Sequence, residues 1–268
     1  MLKVREYGDA GNPPVFVLHG GPGAAGHMAP VARGLADAYR VFEPFQRKAG
    51  GEPLTVARHV ADLHEVCERH AAGCRPALLG ASWGAMLALA YAAAHPDAAG
   101  PLILVGCGTF DLTARAEFRR LVAERTTDEI RTQFEQAGRL GGGEGLRAMA
   151  KALTPIYSYD PLDLPEEEAE IDAPGHHETW DDMMRLQGEG VYPAAFAAIE
   201  APVLMVHGAF DPHPGRLIME SLRPHLPQLE YLELEQCGHD PWAERAAAGP
   251  FFSFIHKWLA RHMVQPGA

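Results

Sequence analysis

The sequence is short of three things, and each shortage excludes something. No stretch approaches the ~18 consecutive apolar residues that a membrane-spanning helix needs, so a helical membrane protein is not expected. Basic residues are scarce beside acidic ones, 23 Lys and Arg against 35 Asp and Glu, for a formal net charge of -12. Nucleic acids and anionic membranes are held by clustered cations, so neither is an expected partner. Cysteine is limited to Cys67, Cys74, Cys107 and Cys237, with no CxxC spacing of a metal site and with apolar or helix-like flanks, which predicts reduced, mostly buried thiols. The opening Met1-Leu2-Lys3-Val4-Arg5-Glu6 runs into polar sequence rather than a long apolar signal core. These absences together predict a soluble, cytoplasmic protein.

What is present is enough for one sizeable core: 268 residues, 47% of them hydrophobic. Short apolar runs alternate with longer helix-like segments, the pattern of a mostly parallel sheet with helices on both faces. Val15–Leu18 is the first clear strand, followed by Tyr39–Phe42, Pro76–Leu79, Leu102–Val105, Val203–Val206 and an alternating Leu229–Leu234. Thr55–His70 carries Val56, Val60, Leu63 and Cys67 at helical spacing, Met86–Ala94 is rich in alanine and leucine, and a closing helix is expected from Trp242 to His262. Between Phe110 and Ile199 buried-strand patterns give way to charged amphipathic helices. The expected organisation is therefore a core of residues 1–109 and 200–268 with a helical lid at 110–199.

A serine hydroxyl is a poor nucleophile until it is aimed and deprotonated by a neighbouring base. Gly80-Ala81-Ser82-Trp83-Gly84 provides the aiming. It follows an apolar strand and opens a helix, the context that a Gly-x-Ser-x-Gly elbow requires, and small flanking residues let strand and helix approach. The amide of Trp83 would then lie at a helix N-terminus, where it can stabilise an oxyanion. His19-Gly20-Gly21-Pro22-Gly23 ends the first strand and offers a second amide, that of Gly21. A phosphate loop is a poor alternative, because neither Gly-Lys-Ser/Thr nor GxGxxG follows.

The base should be a histidine after a late strand, oriented by a carboxylate. Among 14 histidines His239 stands out in Cys237-Gly238-His239-Asp240, directly after the last strand. Asp211 occupies the matching place after Val203–Val206, and the order Ser82, Asp211, His239 is that of a nucleophile-elbow hydrolase. Asp111 is a second candidate acid, and His207 and Asp240 are read as neighbours. The adjacent His176-His177 does not have the i, i+4 spacing with which helical histidines converge on an ion, so no metal site is proposed. No cofactor is expected either.

With these residues in place the sequence resembles the α/β-hydrolase superfamily over nearly its whole length, and within it the proline iminopeptidase-like serine peptidases. The pairing of His19-Gly20-Gly21-Pro22-Gly23 with Ser82-Trp83-Gly84 carries that resemblance, as does the helix from Thr55 with its Asp62. It implies an α/β-hydrolase fold with an inserted helical lid, Ser82, Asp211 and His239 as triad, and Gly21 and Trp83 as oxyanion donors. After the second strand only Gln46 and Arg47 of the group's Asp-Gln-Arg-Gly segment persist, and the lid is shorter. Its acids, Glu166, Glu167 and Glu168 with Asp160, Asp163, Glu170 and Asp172, could attract a cationic amine, or could simply complement a helix start at Pro165. Tyr157, Tyr159, Trp180, Tyr192 and Phe196 are candidates for lining a substrate pocket.

The chemistry expected is cleavage of a small-molecule ester, lactone or short peptide or amide bond through an acyl-enzyme on Ser82. Release of N-terminal proline and hydrolysis of a carbon–carbon bond use the same three residues and stay open. A ligand-binding protein on a hydrolase scaffold also stays open, since fold alone never establishes catalysis.

Overall fold

The computed structural model describes residues 2–22, 24–165 and 170–263. The chain begins with β1 (Val4–Tyr7), β2 (Pro14–Leu18), a two-residue β3 (Ala24–Ala25) and α1 (Ala29–Leu35). It continues through β4 (Arg40–Pro44), α2 (Val56–Ala71), β5 (Ala77–Ala81), α3 (Trp83–Ala94) and β6 (Leu102–Val105). Four helices follow, α4 (Leu112–Arg125), α5 (Asp128–Leu140), α6 (Gly142–Tyr157) and, after the short β7 (Glu170–Ile171), α7 (Ala173–Gly188). The last part is β8 (Val203–Gly208), α8 (Gly215–Leu222), β9 (Leu229–Leu234) and α9 (Ala248–His262).

Seven strands form one sheet in the order β1-β4-β2-β5-β6-β8-β9, parallel throughout except for β1. Strand residues alternate between two cores because successive side chains point to opposite faces. Phe16, Leu18, Phe42, Leu78, Leu102 and Met205 pack under α2, α3 and α8, whereas Val15, Val17, Val41, Leu79, Ile103 and Val206 pack under α1 and α9. The central strands are covered on both faces, which is why they read as continuous apolar runs.

The expected strands and the α2 and α3 helices are found within a few residues of their sequence positions. Two expectations need correction. β1 precedes Val15–Leu18: its Val-Arg-Glu-Tyr is a half-exposed antiparallel edge strand, so it lacks the apolar run that marks the others. The closing helix begins at Ala248 rather than Trp242, after a 3-10 turn at Pro241–Ala243. A helix from Trp242 would carry Pro250 in its interior, where it has no N–H to donate; starting at Ala248 leaves that proline in the first turn. Cys67, Cys107 and Cys237 are buried and Cys74 is exposed, and all four are free thiols.

Register puts the functional loops on one edge. Ala81 pairs with Val105 and Val105 with Val206, so the residues leaving β5, β6 and β8 emerge side by side. Glycines make the junction beneath them possible. A Cβ on Gly84 would lie 2.1 Å from the Leu18 carbonyl oxygen, and one on Gly80 would lie 2.1 Å from that of Gly84. Backbone atoms cannot swing away as a side chain can. Gly84→Ala is therefore expected to destabilise the fold by about 1–3 kcal/mol or more, whereas Gly138→Ala, in open space on α5, should be neutral or stabilising by about 0.4–1 kcal/mol. Urea unfolding of the two variants beside the parent measures both.

Candidate active site

Ser82 sits between β5 and α3 with φ 54° and ψ -117°, one of two described non-glycine residues at positive φ. Such a conformation is costly for an L-residue. It is held by the Ser82 amide, which donates to the Val105 carbonyl at 2.8 Å, and by Gly20, whose absent Cβ would come within 3.0 Å of the Ser82 Cβ. Trp83 is the first residue of α3, so its amide is one of the helix's unpaired N-terminal donors.

The glycine loop after β2 is tied to this elbow by a buried network. The Trp83 indole donates to Gln46 Oε1 at 2.8 Å, and Gln46 Nε2 donates to the His19 carbonyl at 2.9 Å. The Gln46 amide in turn donates to His19 Nε2 at 3.1 Å. An accepting Nε2 places the His19 proton on Nδ1, where it faces the Gly20 carbonyl. Arg47 holds Asp62 with two 2.7 Å bonds, fixing the loop after β4 to α2. Gln46 and Arg47 are thus both structural ties.

His239 and Asp211 come together as expected. Imidazole Nδ1 and carboxylate Oδ2 are 2.8 Å apart, leaving Nε2 as the ring's other nitrogen. The ring lies over Gly106, where an added Cβ would be 2.7 Å from it, and Gly106 directly follows the Val105 that anchors Ser82. Burial alone would make the Asp211 carboxyl harder to ionise, yet His239 and His213 hold it well below the usual carboxylate range. Burial likewise works against charge on His239, and Asp211, with help from Asp240, overrides it and raises the pKa of the ring.

Asp111 is not part of this group: it caps α4, accepting from the Ala114 amide at 2.8 Å. Asp240 pairs with His27 at 3.4 Å. His207 is buried beside Asp211, 3.7 Å away, and its Nε2 accepts from the Cys107 amide. His213, which sequence reasoning missed, donates to Asp211 Oδ1 through both its backbone amide and Nδ1, at 2.9 and 3.0 Å. Its only signal was its place two residues after the acid. Asp211, His213 and His239 also bring three atoms of metal-ligand type within 4.8 Å of one another.

The aromatic candidates are divided by the structure. Tyr157 places its ring edge-on to His239, with centroids 5.3 Å apart, and its carbonyl accepts from the His239 amide at 2.7 Å. Tyr159 is half-exposed and packs on Phe210. Trp180 packs against the core beneath α2 and α3. Tyr192 stacks on Phe196, which is fully buried against Phe110, so this pair serves packing and is not brought together with Tyr157. Glu166, Glu167 and Glu168, and the helix start expected there, lie outside the described residues. Asp160 is engaged by Arg245, and Asp172 accepts from the Ala49 amide.

That last bond belongs to a clamp. Asp172, Glu178 and Asp182 on and beside α7 accept from the amides of Ala49, Leu54 and Val56, and His59 meets Thr179 at 2.9 Å. His176 donates through Nδ1 to the carbonyls of Gly21 and Pro22. A second buried carboxylate, Glu244, accepts from Gly238, Tyr159 and Asp160 and fixes the His239 loop to the segment after α6.

A mostly parallel sheet with helices on both faces and a serine on a strand-to-helix elbow is the arrangement of an α/β hydrolase. The sequence model of the alpha/beta hydrolase family matches residues 15–249, and the chain belongs to that family. Among curated relatives, the proline iminopeptidase of Neisseria gonorrhoeae is 38% identical over 110 residues, covering 37% of this chain and 34% of the relative. The chain thus spans about a third of the length of that relative. Solved structures match more fully: VinJ at TM-score 0.71 and 19% identity, covering 97% of this chain and 95% of that one. A thermophilic esterase from Thermogutta terrifontis matches at TM-score 0.66 and 22% identity over 98% and 94% of the two chains. The Mycobacterium smegmatis proline iminopeptidase matches at TM-score 0.62 and 20% identity over 97% and 94%. Among the described residues no helix is long and apolar enough to cross a membrane.

Burial pushes His19, His59 and His207 down to about 4. Between that value and the ordinary ~6.5 the unfolded chain binds more protons than the folded one, so stability should fall as pH drops through this window. Each histidine can contribute a slope of up to about 1.4 kcal/mol per pH unit. Urea unfolding at pH 7 and pH 5 measures the loss, and His59→Gln should flatten it.

Proposed function

We propose that the chain is a serine hydrolase that cleaves an ester, lactone or small amide bond through an acyl-enzyme on Ser82. The observation that carries this reading is the strained Ser82 at the edge of β5 beside the Gly106 platform of the His239–Asp211 pair. In this reading His239 Nε2 takes the Ser82 hydroxyl proton as the oxygen attacks the carbonyl carbon, and returns it to the leaving group. Water then enters by the same route and frees Ser82. Asp211 keeps the Nδ1 proton in place and stabilises the imidazolium. The amides of Gly21 and Trp83 receive the charge that builds on the carbonyl oxygen. No cofactor takes part, and residues 110–199 act as a lid over the site, with Tyr157 facing the bound substrate beside His239. A soluble, cytoplasmic enzyme fits the composition.

Release of an N-terminal proline is the second reading, favoured by the identity to proline iminopeptidases over the matched third of their length. A panel of aryl esters, lactones and prolyl-arylamide separates the two, since comparable turnover of the arylamide would establish the peptidase and ester-only turnover would dismiss it.

A fluorophosphonate probe should label the parent and spare Ser82→Ala; equal labelling of both would overturn the assignment of the nucleophile. Because the base must be neutral and Asp211 raises its pKa, kcat/KM should climb with pH through a limb lying above the ordinary histidine value of about 6.5. A limb below that value would contradict the roles given to His239 and Asp211.

A further inference from the structure

We propose that His213 is a positioning residue for the acid–base pair, holding one oxygen of Asp211 so that the other is committed to His239. The inference rests on the Ser82–His239–Asp211 reading and adds a residue to it. The two carboxylate oxygens are divided cleanly: Oδ1 takes the amide and Nδ1 of His213 at 2.9 and 3.0 Å, and Oδ2 takes His239 Nδ1 at 2.8 Å. The backbone amide restrains Oδ1 by itself, and the Nδ1–H is a second donor on the same oxygen that further resists rocking about the Cβ–Cγ bond and withdraws charge from the carboxylate. With donors on both oxygens the carboxylate is locked in the plane that aims His239.

The ring has a second hold on His239. Phe118 of α4 stacks on His213 at 4.5 Å, and His213 stacks on His239 at 4.8 Å, with interplanar angles of 26° and 28°. Tyr157 of α6 touches both imidazoles, at 5.9 and 5.3 Å. The groups facing His213 are therefore Asp211 on its own loop, His239 from the loop after β9, Phe118 and Tyr157 from the lid helices, and His207 behind the carboxylate. Since Oδ1 can only accept, Nδ1 of His213 carries a proton. Two imidazoles sharing one carboxylate at this separation resist being charged together, and burial favours the neutral form of His213. His239 is then the ring that becomes imidazolium during turnover, while His213 stays a neutral donor.

Loss of the Nδ1 donor leaves Oδ1 with the backbone amide alone. The carboxylate becomes the stronger base, the pKa of His239 rises, and less neutral His239 is present at pH 7. His213 touches no substrate in this arrangement, so the loss should fall on kcat rather than KM.

The test uses His213→Ala, His213→Phe, which keeps the stack without the donor, and His213→Asn, whose amide N–H stands in for Nδ1–H. Two readouts are followed in the intact protein: the NMR titration of the His239 imidazole, and the pH profile of p-nitrophenyl acetate hydrolysis. His213→Ala and His213→Phe should both raise the pKa of His239, move the acid limb to higher pH by about one pH unit and so lower kcat at pH 7 roughly tenfold, with KM little changed. His213→Asn should restore the His239 pKa and most of kcat. An unmoved His239 pKa in a folded His213→Phe would overturn the proposal, as would His213→Asn behaving like His213→Phe. Should His213→Ala fail to fold, the Phe and Asn pair decides the matter. If the parent does not turn over the ester and the fluorophosphonate labels Ser82→Ala equally, the hydrolase reading falls; the NMR arm still reports whether His213 tunes His239.

Discussion

The site is organised around one buried charge. Asp211 is 4% exposed, and a carboxylate taken out of water must be repaid by donors or it protonates. Its donors come from two loops, after β8 and after β9, so satisfying the charge fixes the relation of one strand end to the next. The His239 loop is pinned in turn by Glu244, and through the Tyr157 carbonyl to the end of α6. Removing His239 would leave the Asp211 charge in the interior with the donors of His213 alone, which costs more than the net value of the bond, whereas removing Asp211 lets the buried imidazole fall back to its neutral form.

At the other side of the site the constraint is steric. β2, β5 and α3 come so close at Gly20, Gly80 and Gly84 that a single methyl group has no place there. The closeness sets Ser82 at a backbone angle it would not choose. The His19–Gln46–Trp83 bonds keep the glycine loop against the elbow, and His176 grips the same loop from α7. Each hydrogen-bonding group in that network is matched, which lets polar side chains be buried there without penalty.

The sheet was legible in the sequence because burial on both faces leaves an unbroken apolar run, as in Leu102–Val105. The edge strand at Val4–Tyr7 was not, since a half-exposed strand of mixed polarity looks like any turn. The placing of Ser82 on an elbow and of Asp211 beside His239 could be read because local context marks it: an elbow between strand and helix, and loops that follow strands. His213, Glu244 and His176 could not. Glu244 and His176 bond partners 84 to 155 residues away, which leaves no mark on their own neighbours, and His213 lies two residues from Asp211 in a loop whose path the sequence does not specify. The aromatic candidates show the same limit, because nothing local separates Tyr157, facing His239, from Phe196, sealed against Phe110.

The clamp at α7 has a consequence for how such a molecule can change over time. Its three carboxylates, Asp172, Glu178 and Asp182, accept from main-chain amides, and any residue but proline at positions 49, 54 and 56 supplies the same amide. At these three points the recognition code for docking is thus written on one side only. The sheet side is free to vary its side chains at those three positions without loosening these bonds, whereas His59 opposite Thr179 and Glu244 opposite Tyr159 and Asp160 are ties that a change of side chain would break. A helical segment of different shape can dock at this part of the border where it presents acceptors at those three points. Fastening to the main chain leaves the sequence beneath the joint free to drift, so this part of the fold can be re-tailored without being rebuilt.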